Sequence, residues 1–312
     1  MIAAVVVHMG RVYFTGAYKK PRDVNWVIGA ILLQITILAA FIGYLLPYDE
    51  FAVTATSIGY QVFASIPWVG DTISALGFAG PYPNPHLVPR FFTAHVFLVP
   101  AAITGLVGLH LIVLLKLKHT QASEITKRLK ATANSATDRG LVGLPLWPEH
   151  VVMMGVVFFA YAAGVTLLAA IQPVHPVQAY GPPTAETPVL RPDWYLLWIY
   201  GILKVLPPID FTILGGRITA QFLGGIVVPG AIFGGIMAVP FVDARVTGDY
   251  PEDSTHAYLD DPRDRPGRTA IGIGAIAFFL TAGTAGYLEL LPVGPTAMGV
   301  LLVIVPVVVG TI

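Results

Sequence analysis

Eight histidines and no cysteine bound the chemistry open to this 312-residue chain. Without thiols there can be no disulfides, thiolate zinc sites, Cys-ligated iron–sulfur clusters or thiol nucleophiles. Reactions must run on imidazole, carboxylate and tyrosine groups and on bound cofactors. The histidines are His8, His86, His95, His110, His119, His150, His175 and His256. Five of them lie in loops or at the ends of apolar runs, where a solvated imidazole is ordinary. His8, His95 and His110 lie within apolar runs. Lipid offers an ionisable group no partner there, so a functional role is the default, with a helix–helix hydrogen bond as the alternative.

Spacing favours the functional role. His95 and His110 are fifteen residues apart, a little over four helical turns, so they share a face roughly 22 Å apart along the axis. One then sits near each edge of a ~30 Å hydrocarbon layer. His8, on an antiparallel neighbour, falls at a depth compatible with His110. An imidazole from each of two facing helices is how a bundle grips a haem iron. The counterpart of His95 would fall about two heptads before His8, upstream of Met1. Gly29 and Gly43 are fourteen apart on the next helix. Their missing Cβ atoms would let a flat macrocycle lie against the backbone, although tight helix packing uses glycine in the same way. Arg11 and Arg90, three residues after His8 and five before His95, could each neutralise a propionate.

These residues need membrane helices to hold them. The chain is 55% apolar and 12% charged, about half the charged fraction of a soluble domain, and its mean hydropathy is +0.72. Eighteen basic and eighteen acidic residues leave no net charge to favour nucleic acid. Apolar runs of spanning length, about 20 residues, cover 26–46, 91–115, 151–171, 218–241 and 269–291. A further run covers 297–312, and residues 1–18 read as the inner part of another helix rather than a signal peptide. The expected fold is all-α: a polytopic transmembrane bundle of about seven helices, the first and last incomplete, so that both ends read as cuts through helices. Two connections of about forty residues, 47–89 and 173–216, are too long to be idle. Segments 57–66 and 193–206 within them have the length of short interfacial helices, forming either lids or the walls of an outer pocket. Basic loops, with Lys19, Lys20 and Arg22 in one and Lys116, Lys118, Lys127, Arg128 and Lys130 in another, put those ends inside. The basic stretch 123–140 divides a His-bearing region, 1–121, from a Pro-rich region, 122–312.

Four groups of residues in combination resemble cytochrome b, the di-haem, quinol-oxidising subunit of cytochrome bc complexes. They are His8-Met9-Gly10-Arg11; Gly29 with Gly43-Tyr44-Leu45-Leu46-Pro47; Arg90-Phe91-Phe92 ahead of His95 and His110; and Pro192-Asp193-Trp194-Tyr195. The resemblance runs from the second half of the family's second helix to its eighth. Lys118-His119-Thr120-Gln121, the PDWY form and Arg245-Val246-Thr247-Gly248-Asp249 are most similar to the actinobacterial, menaquinol-oxidising branch.

The resemblance implies two haem b groups in the full-length protein. His8 and His110 match the ligands of the inner, higher-potential haem, and His95 matches one ligand of the outer, lower-potential haem. The chain as written is therefore expected to hold at most one bis-His haem. Arg11 and Arg90 match propionate partners, and Gly29 and Gly43 the haem-facing glycines. Pro192–Tyr195 matches the outer quinol-oxidation motif. Asp193 there is the proton acceptor where most relatives have Glu, and Tyr195 and Tyr200 are pocket tyrosines; a helix cap and interfacial belt aromatics are the structural alternatives. Implied partners are quinol (menaquinol in this branch), a Rieske iron–sulfur protein, a cytochrome c-type subunit, membrane lipid and a second copy within a complex. The implied location is the plasma membrane of a prokaryote, multi-pass, with the PDWY site outside. Two features depart from the family pattern. Leu115 stands where relatives place an inner-site His, and Thr54-Ala55 replaces the usual Trp-Gly pair in the outer pocket wall. The alternative functions are a b-haem membrane anchor of a dehydrogenase, which lacks a PDWY-type pocket, and a non-catalytic helical membrane module or transporter.

Overall fold

The computed structural model describes residues 1–117, 120–122, 146–171, 191–248 and 258–311. The basic stretch 123–140, His119, His175, His256 and Asp249 lie outside the described residues. Among them run ten helices, each α except for short π turns: α1 (Ile2–Phe14), α2 (Asp23–Leu45), α3 (Glu50–Ala64), α4 (Gly70–Phe78), α5 (Leu87–Leu117), α6 (Trp147–Ile171), α7 (Trp194–Val205), α8 (Ala220–Thr247), α9 (Pro266–Ala285) and α10 (Pro295–Thr311). Five of these, α2, α5, α6, α8 and α9, are long and apolar enough to cross a bilayer. The protein is an all-α, multi-pass membrane bundle.

Strands are minor. β1 (Gln121–Ala122) pairs in parallel with β4 (Tyr258–Leu259), and β2 (Asp210–Ile213) forms an antiparallel hairpin with β3 (Gly216–Thr219). Leu214 and Gly215, both at positive φ, make its two-residue turn, the backbone a tight hairpin requires. This hairpin occupies the end of the long connection that the sequence reading left without regular structure.

Local chemistry sets the boundaries. α3 begins seven residues before the expected interfacial segment, because the Asp49 side chain accepts from the Ala52 amide at 2.8 Å and caps it. α8 ends at Gly248, whose left-handed φ of 65° closes the helix. The expected run 269–291 breaks after Ala285. Lys204 donates to the freed Gly286 carbonyl at 3.0 Å, and a 3-10 turn over Leu288–Leu290 follows.

Packing forms two neighbouring bodies. α2 is the hub of one, contacting α1, α3, α5 and α8; α7, α9 and α10 form the other. Glycine permits the second. A Cβ on Gly274 would meet the Pro306 carbonyl at 2.8 Å, one on Gly310 the Ala270 carbonyl at 2.7 Å, and one on Gly201 would strike the Ala282 carbonyl. Where lipid supplies no hydrophobic drive between helices, such backbone approach is what holds them together.

A charged knot ties α1, α8 and α9 at the end of the bundle carrying the α1–α2 turn. Arg268, 6% exposed in its side chain, lies 2.8 Å from Asp260 and 3.8 Å from Asp243. Lys19 reaches Asp260 at 2.8 Å, and the buried Tyr18 hydroxyl donates to Asp243 at 2.9 Å. Burial alone would raise the Asp260 carboxyl, but hydrogen bonds from Lys19 and Arg268 outweigh it and hold the group below the ordinary aspartate value. Its contribution is therefore present above the unfolded carboxyl's range and is lost as pH falls through the lowered native value. Arg268→Met removes one cation from two carboxylates that keep Lys19 and Tyr18 as partners and is expected to destabilise the chain by about 1–3 kcal/mol. Thermal loss of the folded protein in detergent measures this, and a melting point equal to that of wild type would show the knot to be energetically idle.

Candidate functional site

α2 presents two glycines to two histidines. Gly29 is apposed to His110: a Cβ there would lie 3.4 Å from the imidazole Cε1. Gly43 is apposed to His95 more tightly, a Cβ falling 2.5 Å from Cε1 and 3.1 Å from both ring nitrogens. The two pairs stand one above the other, about 21 Å apart for fourteen residues of helical rise. The Nδ1 atoms of His95 and His110 are buried and carry no hydrogen bond. His8 on α1 is close enough to His110 for their imidazoles to interact electrostatically. α1 and α5 both pack on α2 more than on each other.

The register of these pairs depends on a feature the sequence reading did not contain. Fifteen residues of regular helix overshoot four turns by about 60°, whereas fourteen fall short by about 40°. Two histidines at the first spacing would not track two glycines at the second. α5 resolves the mismatch with a π turn at Ala94–Leu98, in which the Val99 amide bonds to the Ala94 carbonyl. A π turn winds in one extra residue without adding a turn. Both imidazoles thereby stay over both glycines.

The donor set suits a haem better than a bare ion. Among the described residues no group of three or more His, Cys, Asp or Glu could hold a metal. Imidazoles with orphaned nitrogens, packed against glycines whose missing Cβ atoms admit them, are donors that would hold a haem iron. Arg11 is exposed and within electrostatic reach of His8. The Arg90 guanidinium donates to the Leu76 carbonyl of α4, so one of its five donors is already used for structure.

A cavity of about 310 Å³ opens beside the Gly43 end of α2. α2 contributes Phe41 and Tyr44, α3 contributes Thr54 and Ala55, the segment before α7 contributes Arg191 and Pro192, and α7 contributes Leu196 and Tyr200. Its wall is largely apolar, as a site for a small, flat organic molecule needs to be. Of the PDWY residues, only Pro192 lines it. Tyr195 is buried behind the wall, and Asp193 is exposed at the start of α7, where its side chain makes no capping hydrogen bond. Burial, reinforced by the Asp193 carboxylate, pushes the Tyr195 hydroxyl well above the ordinary tyrosine value, so Tyr195 can donate a proton contact but not act as a base. Tyr44, on the wall, lies within electrostatic reach of both Tyr195 and Asp193. Sequence reasoning quoted Tyr44 only within a motif, with no site role, and passed over Arg191 and Glu289. Arg191 directly precedes PDWY and could have been noticed; Glu289 meets it from 98 residues away and could not.

Fold and site together define a helical membrane protein with histidine–glycine pairs at two levels and an apolar cavity at one end. The chain belongs to the cytochrome b (N-terminal)/b6/petB family, whose model matches residues 1–182. It is 34% identical over 284 residues to the cytochrome bc1 complex cytochrome b subunit of Streptomyces coelicolor, covering 89% of this chain and 49% of that protein. It is 33% identical over 285 residues to the subunit of the same name from Mycobacterium tuberculosis, with the same coverage. The chain thus spans about half the length of the curated relatives it matches. A solved structure titled hyperthermophilic respiratory Complex III superposes with a TM-score of 0.64 at 20% identity, over 99% of this chain and 75% of that one, a likeness of fold.

Proposed function

We propose that this chain is the haem-bearing, quinol-oxidising part of a respiratory quinol:cytochrome c reductase. The apposition of His110 to Gly29 and of His95 to Gly43 at two depths carries the reading. His8 and His110 would hold one haem b, and His95 would supply one axial ligand of a second. Gly29 and Gly43 leave clearance for the ring edges, and Arg11 and Arg90 neutralise propionates. Haem held by two imidazoles supplies one-electron transfer without an open position for oxygen. Regions 1–121 and 122–312 divide the work, the first holding the cofactor ligands and the second the PDWY segment.

The cavity beside Gly43 takes the quinol, menaquinol by analogy with the actinobacterial relatives. Tyr200 and Tyr195 orient it or its wall, and Asp193 receives protons leaving the site. One electron passes to a Rieske iron–sulfur protein and a cytochrome c-type partner, the other across the membrane toward an inner quinone. The basic loop between α1 and α2 supports an orientation with PDWY outside, in the plasma membrane of a prokaryote, the chain working within a homodimeric complex.

A reduced-minus-oxidised spectrum of membranes containing the assembled protein tests this. The expected result is b-type bands that menaquinol reduces. Bands that quinol cannot reduce would point to another haem-bearing membrane subunit, and no bands at all would leave only a helical module.

A further inference from the structure

The cavity wall carries two polar atoms that have no partner. The Thr54 hydroxyl and the Arg191 Nε are both buried without a hydrogen bond, and both residues line the cavity. Leaving such a donor unpaired is expensive unless something else satisfies it. A helical threonine usually bonds back to the carbonyl four residues earlier, as Thr56 does to Ala52 at 2.6 Å; Thr54 does not. Arg191 is held at its other end. Its Nη2 donates to the Glu289 carboxylate, and its guanidinium lies 4.8 Å over the Tyr287 ring. Glu289 also receives Lys204, whose ammonium lies 4.5 Å over Tyr200 on the cavity wall. One carboxylate from the α9–α10 turn therefore fixes two cations beside the cavity.

We propose that Arg191 and Thr54 are the hydrogen-bonding contacts that orient the oxygenated ring in this cavity, and that Glu289 is a positioning residue which sets the Arg191 guanidinium. The ligand class that fits is a flat, largely apolar ring carrying oxygens, a quinol or its quinone. This rests on the proposed role of the cavity and adds the residues that recognise the substrate. Hydrogen bonds from Lys204 and Arg191 pull the Glu289 carboxyl down to about 2, so the brace stays ionised at any working pH and releases only as pH falls toward that value. With its oxygens engaged by Arg191 and Lys204, Glu289 is assigned to holding the two cations and not to accepting protons.

The test uses Arg191→Met, Thr54→Val and Glu289→Gln in the assembled complex, assayed with 2,3-dimethyl-1,4-naphthoquinol. Losing a charged donor raises KM about tenfold, equivalent to about 1.4 kcal/mol, in Arg191→Met. Thr54→Val raises KM a few-fold. Glu289→Gln raises KM in the same direction as Arg191→Met, independently of pH between 5 and 9, with kcat little changed. Glu289→Asp restores part of the loss, which a merely structural role would not. Equilibrium binding of the oxidised naphthoquinone to haem-replete protein gives the same ranking where turnover is too low to measure. Wild-type KM and affinity in both Arg191→Met and Thr54→Val overturn the assignment. A cavity-filling Ala55→Phe separates that result from failure of the cavity itself: if it abolishes oxidation while those two variants behave as wild type, the cavity stands and the assignment falls. If Ala55→Phe also oxidises quinol normally, the cavity reading falls with it.

Discussion

Under the proposed function, Gly43→Ala in the full-length protein is expected to remove the b-type haem signal that depends on His95, whereas Gly29→Ala is expected to leave the His8/His110 signal in place. The asymmetry comes from the two clearances. A methyl at residue 43 sits 2.5 Å from the His95 ring, closer than any real carbon contact, while one at residue 29 sits 3.4 Å from His110, at ordinary contact distance. In the first case the imidazole must swing away from the position in which it would hold a haem; in the second it need not. A redox titration of the b bands in the full-length protein resolves the outcome, with loss of one component in Gly43→Ala and two components retained in Gly29→Ala. Equal responses of both variants, in either direction, would detach the glycines from the cofactor and leave them as packing residues.

Asp193→Asn slows quinol oxidation about 100-fold, the lower end of what a positioned proton acceptor contributes, without altering the haem spectrum. Asp193 stands off the cavity wall, so in the proposed function its part would be to take protons away through the neighbourhood of Tyr195 and Tyr44. Tyr195 cannot substitute, since burial and the adjacent carboxylate keep its hydroxyl protonated. Asp193→Glu should preserve turnover. Nor should the Asn variant lose stability, because the wild-type carboxylate accepts no helix-capping bond. Turnover equal to wild type across the pH range would make Asp193 an exposed helix end with no share in the chemistry.

The contrast between these two residues shows how the site divides between what composition reveals and what folding decides. The histidines were legible because a membrane makes an imidazole conspicuous, and Gly29 and Gly43 because their spacing nearly repeats that of His95 and His110. PDWY was legible as a motif, yet a motif states residue order and not which side chains face a cavity. Pro192 reaches the wall, while Asp193 just before α7 is exposed and Tyr195 is buried off the face that Leu196 and Tyr200 turn to the cavity.

By itself the sequence determined the all-α membrane class, since long apolar runs with so few charges can satisfy their backbone in lipid only as helices or closed barrels, and their length and pattern suit helices. It determined the candidate ligands for the same dielectric reason: an ionisable group within such a run requires a purpose. Only the tertiary structure decided how those ligands meet. The π turn at Ala94–Leu98 is a backbone adjustment with no residue signature, and it brings a fifteen-residue repeat into register with a fourteen-residue one across a helix interface. The Glu289 brace likewise joins chain segments nearly a hundred residues apart, and such a contact exists only once α9 and α10 have packed on α7. Periodicity reports what one helix offers; register and distant pairing belong to the interface between helices.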